Sequence, residues 1–160
     1  MTRKRSMLLL GLAAALVVSM ASPAPAHTGN RIEVTRGEFV TLQGGTDLGY
    51  TISGKAVMVR LRKATLVGVW VRGLDADTTY PAHVHNAPCS ATPPGGSHYQ
   101  HQVGGPVDAV NEIWPIVTTG SAGRGFGSAW HTHRARPDAM SIVIHYPPDT
   151  SIRLACADLS

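Results

Sequence analysis

The stretch Val57-Met58-Val59-Arg60-Leu61-Arg62-Lys63-Ala64-Thr65-Leu66-Val67-Gly68-Val69-Trp70-Val71-Arg72 decides the fold class. Val57 to Arg62 and Thr65 to Arg72 are rich in β-branched residues and roughly alternate, which suits strands that bury one face. Only Lys63-Ala64 separates them, so the pair reads as a hairpin. Working outward, Ser141-Ile142-Val143-Ile144-His145 and Ile152-Arg153-Leu154-Ala155-Cys156 read as two further strands. They flank the turn Tyr146-Pro147-Pro148-Asp149-Thr150. Ile113 to Thr119 reads as another strand, marked as an edge or irregular piece by Pro115, whose nitrogen cannot donate to a ladder. Arg31 to Leu42 and Gly44 to Gly54 read as opening strands and turns. No segment carries a convincing helical period. Short strands joined by Gly- and Pro-rich connections predict an all-β chain, an antiparallel sandwich or barrel.

From Asn86 to Val110 the chain reads as loop, because Pro88, Pro93-Pro94-Gly95-Gly96 and Gly104-Gly105-Pro106 do not fit regular elements. A stretch of this length inside a compact domain is usually functional or disordered. This one carries Cys89, His98 and His101, which favours an ordered functional loop.

The first residues have the pattern of an export signal. Thr2-Arg3-Lys4-Arg5 is a basic start, Met7 to Val18 an apolar run, and Ala24-Pro25-Ala26 a small-x-small cleavage site. The expectation is a cleaved peptide over 1–26, an N-terminal segment with opening strands over 27–53, and a β-domain over 54–160. No second apolar run follows, so no membrane span is expected after cleavage. The destination is extracytoplasmic: secreted, wall-associated or periplasmic.

The whole chain has 14 Lys and Arg against 10 Asp and Glu, a formal charge of +4. Losing Arg3, Lys4 and Arg5 lowers the excess to +1, and no basic stripe with interleaved aromatics remains, so nucleic acid is not an expected partner. The two cysteines, Cys89 and Cys156, point to one disulfide in an oxidising compartment. The alternative is a cysteine ligand to copper, which would leave the other thiol unpaired.

The chemistry concentrates at Ala82-His83-Val84-His85. In a strand, residues i and i+2 share a face, so His83 and His85 present two imidazoles side by side. Imidazoles converging on one point, with His98 and His145 arriving from elsewhere, suit a borderline transition metal such as copper or zinc.

The order His83-Val84-His85, Cys89, Gly95-Gly96-Ser97-His98, Val143-Ile144-His145, then Arg153-Leu154-Ala155-Cys156 resembles the copper/zinc superoxide dismutase family. The likeness runs from about Gly54 to Leu159 and includes Gly73-Leu74 ahead of the paired histidines. It implies a Greek-key antiparallel β-barrel. It implies that His83, His85, His98 and His145 are copper ligands, with His98 the residue that faces both metals in two-metal members. Arg153 matches the arginine that attracts and orients superoxide. Cys89 and Cys156 match the intrasubunit disulfide that ties the active-site loop to the last strand.

The chain departs from the family in two places. Where the remaining zinc ligands stand in the family, it offers Val103, Glu112 and Ile113-Trp114-Pro115. Between His145 and Arg153 it has only Tyr146 to Ile152, where zinc-containing members carry a long charged loop. Both departures resemble the copper-only branch, and imply copper as the cofactor without zinc and a more open site. Without zinc, His98 needs another partner for its second ring nitrogen, and Glu112 is the candidate.

The remaining histidines divide into two groups. His131 and His133 repeat the i, i+2 spacing and could form a second metal locus with His101; the surrounding Thr132 and Arg134 to Arg136 suggest instead an exposed segment. His27 would follow the cleavage site, where amine and imidazole could chelate copper, although a frayed terminus is the simpler reading.

The expected activity is dismutation of superoxide to dioxygen and hydrogen peroxide by copper, with Arg153 and His98 as the catalytic side chains. A non-catalytic copper-binding protein for buffering or delivery is the alternative from another class. A metal-free interaction domain is a third. Oligomeric state stays open at this level.

Overall fold

The computed structural model describes residues 31–160. The signal segment expected over 1–26 and His27 lie outside the described residues. Nine strands form one sheet, antiparallel at every pairing. They are β1 (Glu33–Thr41), β2 (Ser53–Arg60), β3 (Thr65–Arg72), β4 (Thr79–Tyr80), β5 (Ala82–His85), β6 (Val117–Thr119), β7 (Arg124–His131), β8 (Ser141–Tyr146) and β9 (Asp149–Asp158). Their order across the sheet is β4-β6-β7-β3-β2-β1-β9-β8-β5.

The two outermost strands of that order, β4 and β5, are separated in the chain only by Pro81. The sheet therefore curls until its edges nearly meet, which makes it a near-barrel. β1, β2 and β3 form a local meander, whereas β5→β6 and β7→β8 cross from one flank of the sheet to the other. Among the described residues no helix is long and apolar enough to cross a membrane.

The hairpin that opened the sequence reading is β2–β3, with Arg60 opposite Thr65. Along β3 the burial alternates strictly: Thr65, Val67, Val69 and Val71 face inward while Leu66, Trp70 and Arg72 face out. The inner face packs with Met58, Tyr80, Val84, Ile142, Ile144 and Leu154. Each large aliphatic side chain buried this way stabilises the fold by roughly 1.5–3 kcal/mol before entropy is subtracted.

Several sequence expectations are corrected. β2 begins at Ser53 and stops at Arg60, so Leu61 and Arg62 belong to the turn, closed by Leu61 N–H donating to Ala64 O at 2.8 Å. The opening region contains a short helix, α1 (Gln43–Asp47), rather than strands and turns alone. Gly45 allows it, because a Cβ there would lie 2.4 Å from the carbonyl oxygen of Leu154. Only Val117–Thr119 of the expected Ile113–Thr119 strand forms a ladder. β7 was not foreseen, although it pairs with β3 along its whole length. Its sequence, Arg124-Gly125-Phe126-Gly127-Ser128-Ala129-Trp130-His131, is interrupted by glycines that weaken the strand signal. The glycines are needed because a Cβ at Gly127 would lie 2.4 Å from Pro115 O.

β1 lies between β2 and β9, so the segment 27–53 contributes a strand to the same sheet as 54–160. Cys89 and Cys156 are disulfide-bonded, and neither serves as a copper ligand. From Asn86 to Ile116 there is no regular strand, in keeping with the loop reading.

Candidate metal centre

β5 is only four residues long, yet it is held on both edges. Its ladder to β8 pairs His83 with Val143 and His85 with Ser141. On its other edge Val84 N–H donates to Ile113 O at 3.0 Å and its carbonyl accepts from Tyr99 N–H at 2.8 Å. Ala82 and Val84 point into the core, so period-two geometry sends His83 and His85 to the opposite face. His85 forms an isolated bridge with His98, which brings the third imidazole alongside. β8 delivers His145, the fourth.

The four histidines converge: one ligand nitrogen from each lies within 4.8 Å of the others. This cluster could hold a metal ion. The tautomers favour it. His85 Nδ1–H donates to Gly96 O at 3.3 Å, and His145 Nδ1–H donates to Thr150 O at 2.6 Å. A carbonyl oxygen can only accept, so both rings carry their proton on Nδ1 and a lone pair on Nε2. Those two Nε2 atoms stand 3.3 Å apart. Facing lone pairs repel at that distance unless a cation or proton lies between them, and about 3.3 Å is the spacing of two nitrogens each about 2.0 Å from one tetrahedral ion. His98 Nδ1 is likewise engaged, by Glu112. His83 differs: its Nδ1 is buried with no hydrogen-bond partner, which makes Nδ1 its available ligand atom.

The electrostatics keep His83, His85 and His145 neutral. Burial, then the neighbouring imidazoles of His98 and His145, push His83 down to about 3. Burial first, with His98, His145 and Arg153 adding to it, lowers His85 to about 2. Burial lowers His145 to about 4 against the opposing effect of its bond to Thr150. Deprotonated imidazole is the form that binds metals.

Glu112 sits behind His98 and is 1% exposed. Its Oε2 accepts from His98 Nδ1 at 2.7 Å and from Trp114 Nε1 at 2.9 Å, while Oε1 accepts from Gln100 Nε2 at 3.2 Å. Three donors satisfy this buried carboxyl group, and the ring of His98 is fixed in orientation by it. Gln100 and Trp114 were not singled out in the sequence. Trp114 could have been, since it stands at i+2 from Glu112 in an extended segment, and its ring also meets His83 edge-on at 5.6 Å. Val103, by contrast, is 80% exposed on the rim of a cleft of about 520 Å³ beside His98.

Arg153 is half-buried on β9, directly opposite His145 in the ladder. Its Nη1 donates to Pro94 O, so the proline-rich loop aims the guanidinium. Its charge contributes to the lowering of both His85 and His145, which places it within electrostatic reach of the cluster. The loop that supplies the Pro94 and Gly96 carbonyls turns through Gly95 and Gly96, with φ of 81° and 68°, a region that side chains disfavour. It is anchored by the Cys89–Cys156 disulfide and by Cys89 N–H donating to Asp158 Oδ1 at 2.7 Å.

Among the described residues, the other histidines do not join this cluster. His101 packs instead against His131 and His133. His131 is 4% exposed, contrary to the exposed segment expected there, because β7 carries it into the interior where it donates to Val110 O at 2.6 Å.

No protein-family model and no curated protein matches this chain.

Proposed function

We propose that the protein is an exported copper-dependent superoxide dismutase that works without zinc. The observation that carries this reading is the joint placement of four imidazoles, a buried Glu112 behind one of them and Arg153 across the ladder from another. All-nitrogen ligation from four imidazoles suits copper. The zinc-free reading rests on the residues at the expected zinc positions: Val103 has no donor, and the only oxygens of Glu112 are occupied by His98, Trp114 and Gln100.

His83, His85, His98 and His145 would hold copper, which would supply the one-electron exchange by which two superoxide ions and two protons give dioxygen and hydrogen peroxide. The chain's own part is to hold the ligands and guide the anion. His85 and His145 are fixed by the carbonyls of Gly96 and Thr150. Glu112 keeps the Nδ1 proton of His98 in place and leaves Nε2 free to bind a cation or to carry a proton. Arg153 supplies a planar, permanently charged fork suited to a small anion. With the formal charge near zero after export, attraction of superoxide is a local effect of Arg153.

The deciding experiment is superoxide dismutation by the metal-free protein reloaded with copper alone, beside a zinc-supplemented sample. Turnover well above free copper and indifferent to zinc supports the enzyme. Stoichiometric copper binding with no such turnover would make the chain a copper-buffering or delivery protein instead.

A further inference from the structure

A second histidine cluster lies three residues beyond His98. His101 is held in its loop by its N–H donating to Asn111 O at 2.7 Å. His131 closes β7 and His133 follows after Thr132. Ring centroids are 3.8 Å apart for His101 and His133, 5.1 Å for His131 and His133, and 6.0 Å for His101 and His131. The four-histidine cluster covers a similar range, from 4.1 to 6.3 Å.

Two of these rings have buried nitrogens with nothing to bind. His131 donates through Nε2 to Val110 O, so its Nδ1 carries the lone pair, and that atom is buried without a partner. His101 Nδ1 is also buried without a partner. Unpaired buried nitrogens are costly, and a cation can be shared by the lone pairs of several imidazoles. The geometry points to His101, His131 and His133 as a second site, for a borderline divalent cation of the zinc class.

Three imidazoles with an open fourth position suit such an ion. The rings of His101 and His133 are stacked, 7° from parallel, so their lone pairs do not converge as they lie. Completing the set requires the half-buried His133 to turn out of the stack, while His131 is held by Val110. The nearest cation, Arg136, donates to His101 O and is paired with Asp138 at 2.8 Å, which moderates its repulsion of an incoming ion. Occupancy would tie the end of β7 to the segment that presents His98 and Glu112.

The test counts zinc bound to metal-free protein by equilibrium dialysis, in the wild type, in His83→Ala/His85→Ala and in His133→Ala. Two equivalents are expected in the wild type and one in His83→Ala/His85→Ala, with the second equivalent at least tenfold weaker in His133→Ala. No zinc bound by folded His83→Ala/His85→Ala would overturn the proposal, as would unchanged affinity for both equivalents in His133→Ala. Circular dichroism of each metal-free variant establishes folding, and His133→Gln substitutes for His133→Ala should the latter unfold. The outcome is separable from the dismutase reading: failure of the four-histidine cluster would show as equal zinc binding by the wild type and His83→Ala/His85→Ala.

Discussion

His145 and Arg153 face one another across the β8–β9 ladder, at a point where the register shifts on either side of His145. Opposite residues in an antiparallel pair project to the same face, so the irregular ladder sets a fixed charge beside an imidazole. Arg153→Ala should lower the dismutation rate of the copper-loaded protein by tenfold or more and remove most of its dependence on salt. Arg153→Lys should recover the salt dependence but only part of the rate, since an ammonium lacks the planar fork. Rates measured from low to high ionic strength decide it; equal rates in all three proteins would strip Arg153 of a role.

Glu112 should tune the metal rather than the fold's gross shape. Glu112→Gln retains an oxygen for His98 and Trp114 but turns the other side of the group into a donor facing the Gln100 Nε2 donor. Copper affinity is expected to fall about 10- to 100-fold, the usual range for losing a partner behind a ligand. Competition with a chelator measures it. Identical affinity and turnover in Glu112→Gln would leave the carboxyl group with no function at the site.

The metal-free protein should lose stability as the solution is acidified. His83, His85 and His145 titrate well below the ordinary histidine value of 6.5 when folded, at about 3, 2 and 4. The unfolded chain therefore takes up protons near pH 6.5 that the folded chain refuses. Their contribution is complete above that pH and shrinks as pH falls toward the folded values. Thermal melting between pH 7.5 and 4.5 should show a falling midpoint, and His145→Leu should flatten the slope. A midpoint independent of pH over this window would contradict the burial of these rings.

Replacing both cysteines by serine should act on stability and on the site together. The disulfide spans 67 positions, and opening a loop of that length costs roughly 4 kcal/mol in the chain-entropy picture. It also frees the loop whose Pro94 and Gly96 carbonyls hold Arg153 and His85. Denaturant unfolding and copper titration of Cys89→Ser/Cys156→Ser should both weaken. Lower stability with unchanged copper affinity would show that the loop is held by other contacts.

The alternation of Thr65 to Arg72 and the i, i+2 spacing of His83 and His85 were legible because each is a local period. The convergence of His98 and His145 on them rested on residue order alone, since the pairing of β5 with β8 spans some sixty residues of sequence. β7 has no clear strand signal because Gly127 serves the close approach of Pro115 and Ile116 and Gly125 makes room for Val117 and Thr119, tertiary demands with no local signature. The same reason hid the burial of His131: its neighbours Thr132 and Arg134 look like surface, and only the ladder to β3 carries it inward. Glu112 was placed behind His98 by asking what an unpaired ring nitrogen requires, which is a chemical question that spacing does not answer.

The meander β1–β2–β3 contains none of the four clustered histidines, neither cysteine and not Arg153. Those groups begin at β5 and end in β9, the strand that must return to pair with β1 at Val40 and Thr41. A chain emerging from its N-terminal side can thus assemble its first three strands while it still has no complete place for an ion. The cation pocket requires the β5–β8 ladder, which joins residues some sixty positions apart, so any metal held there binds a late-formed part of the fold and stabilises it by mass action. Loading would then report that two strands far apart in the chain have found one another.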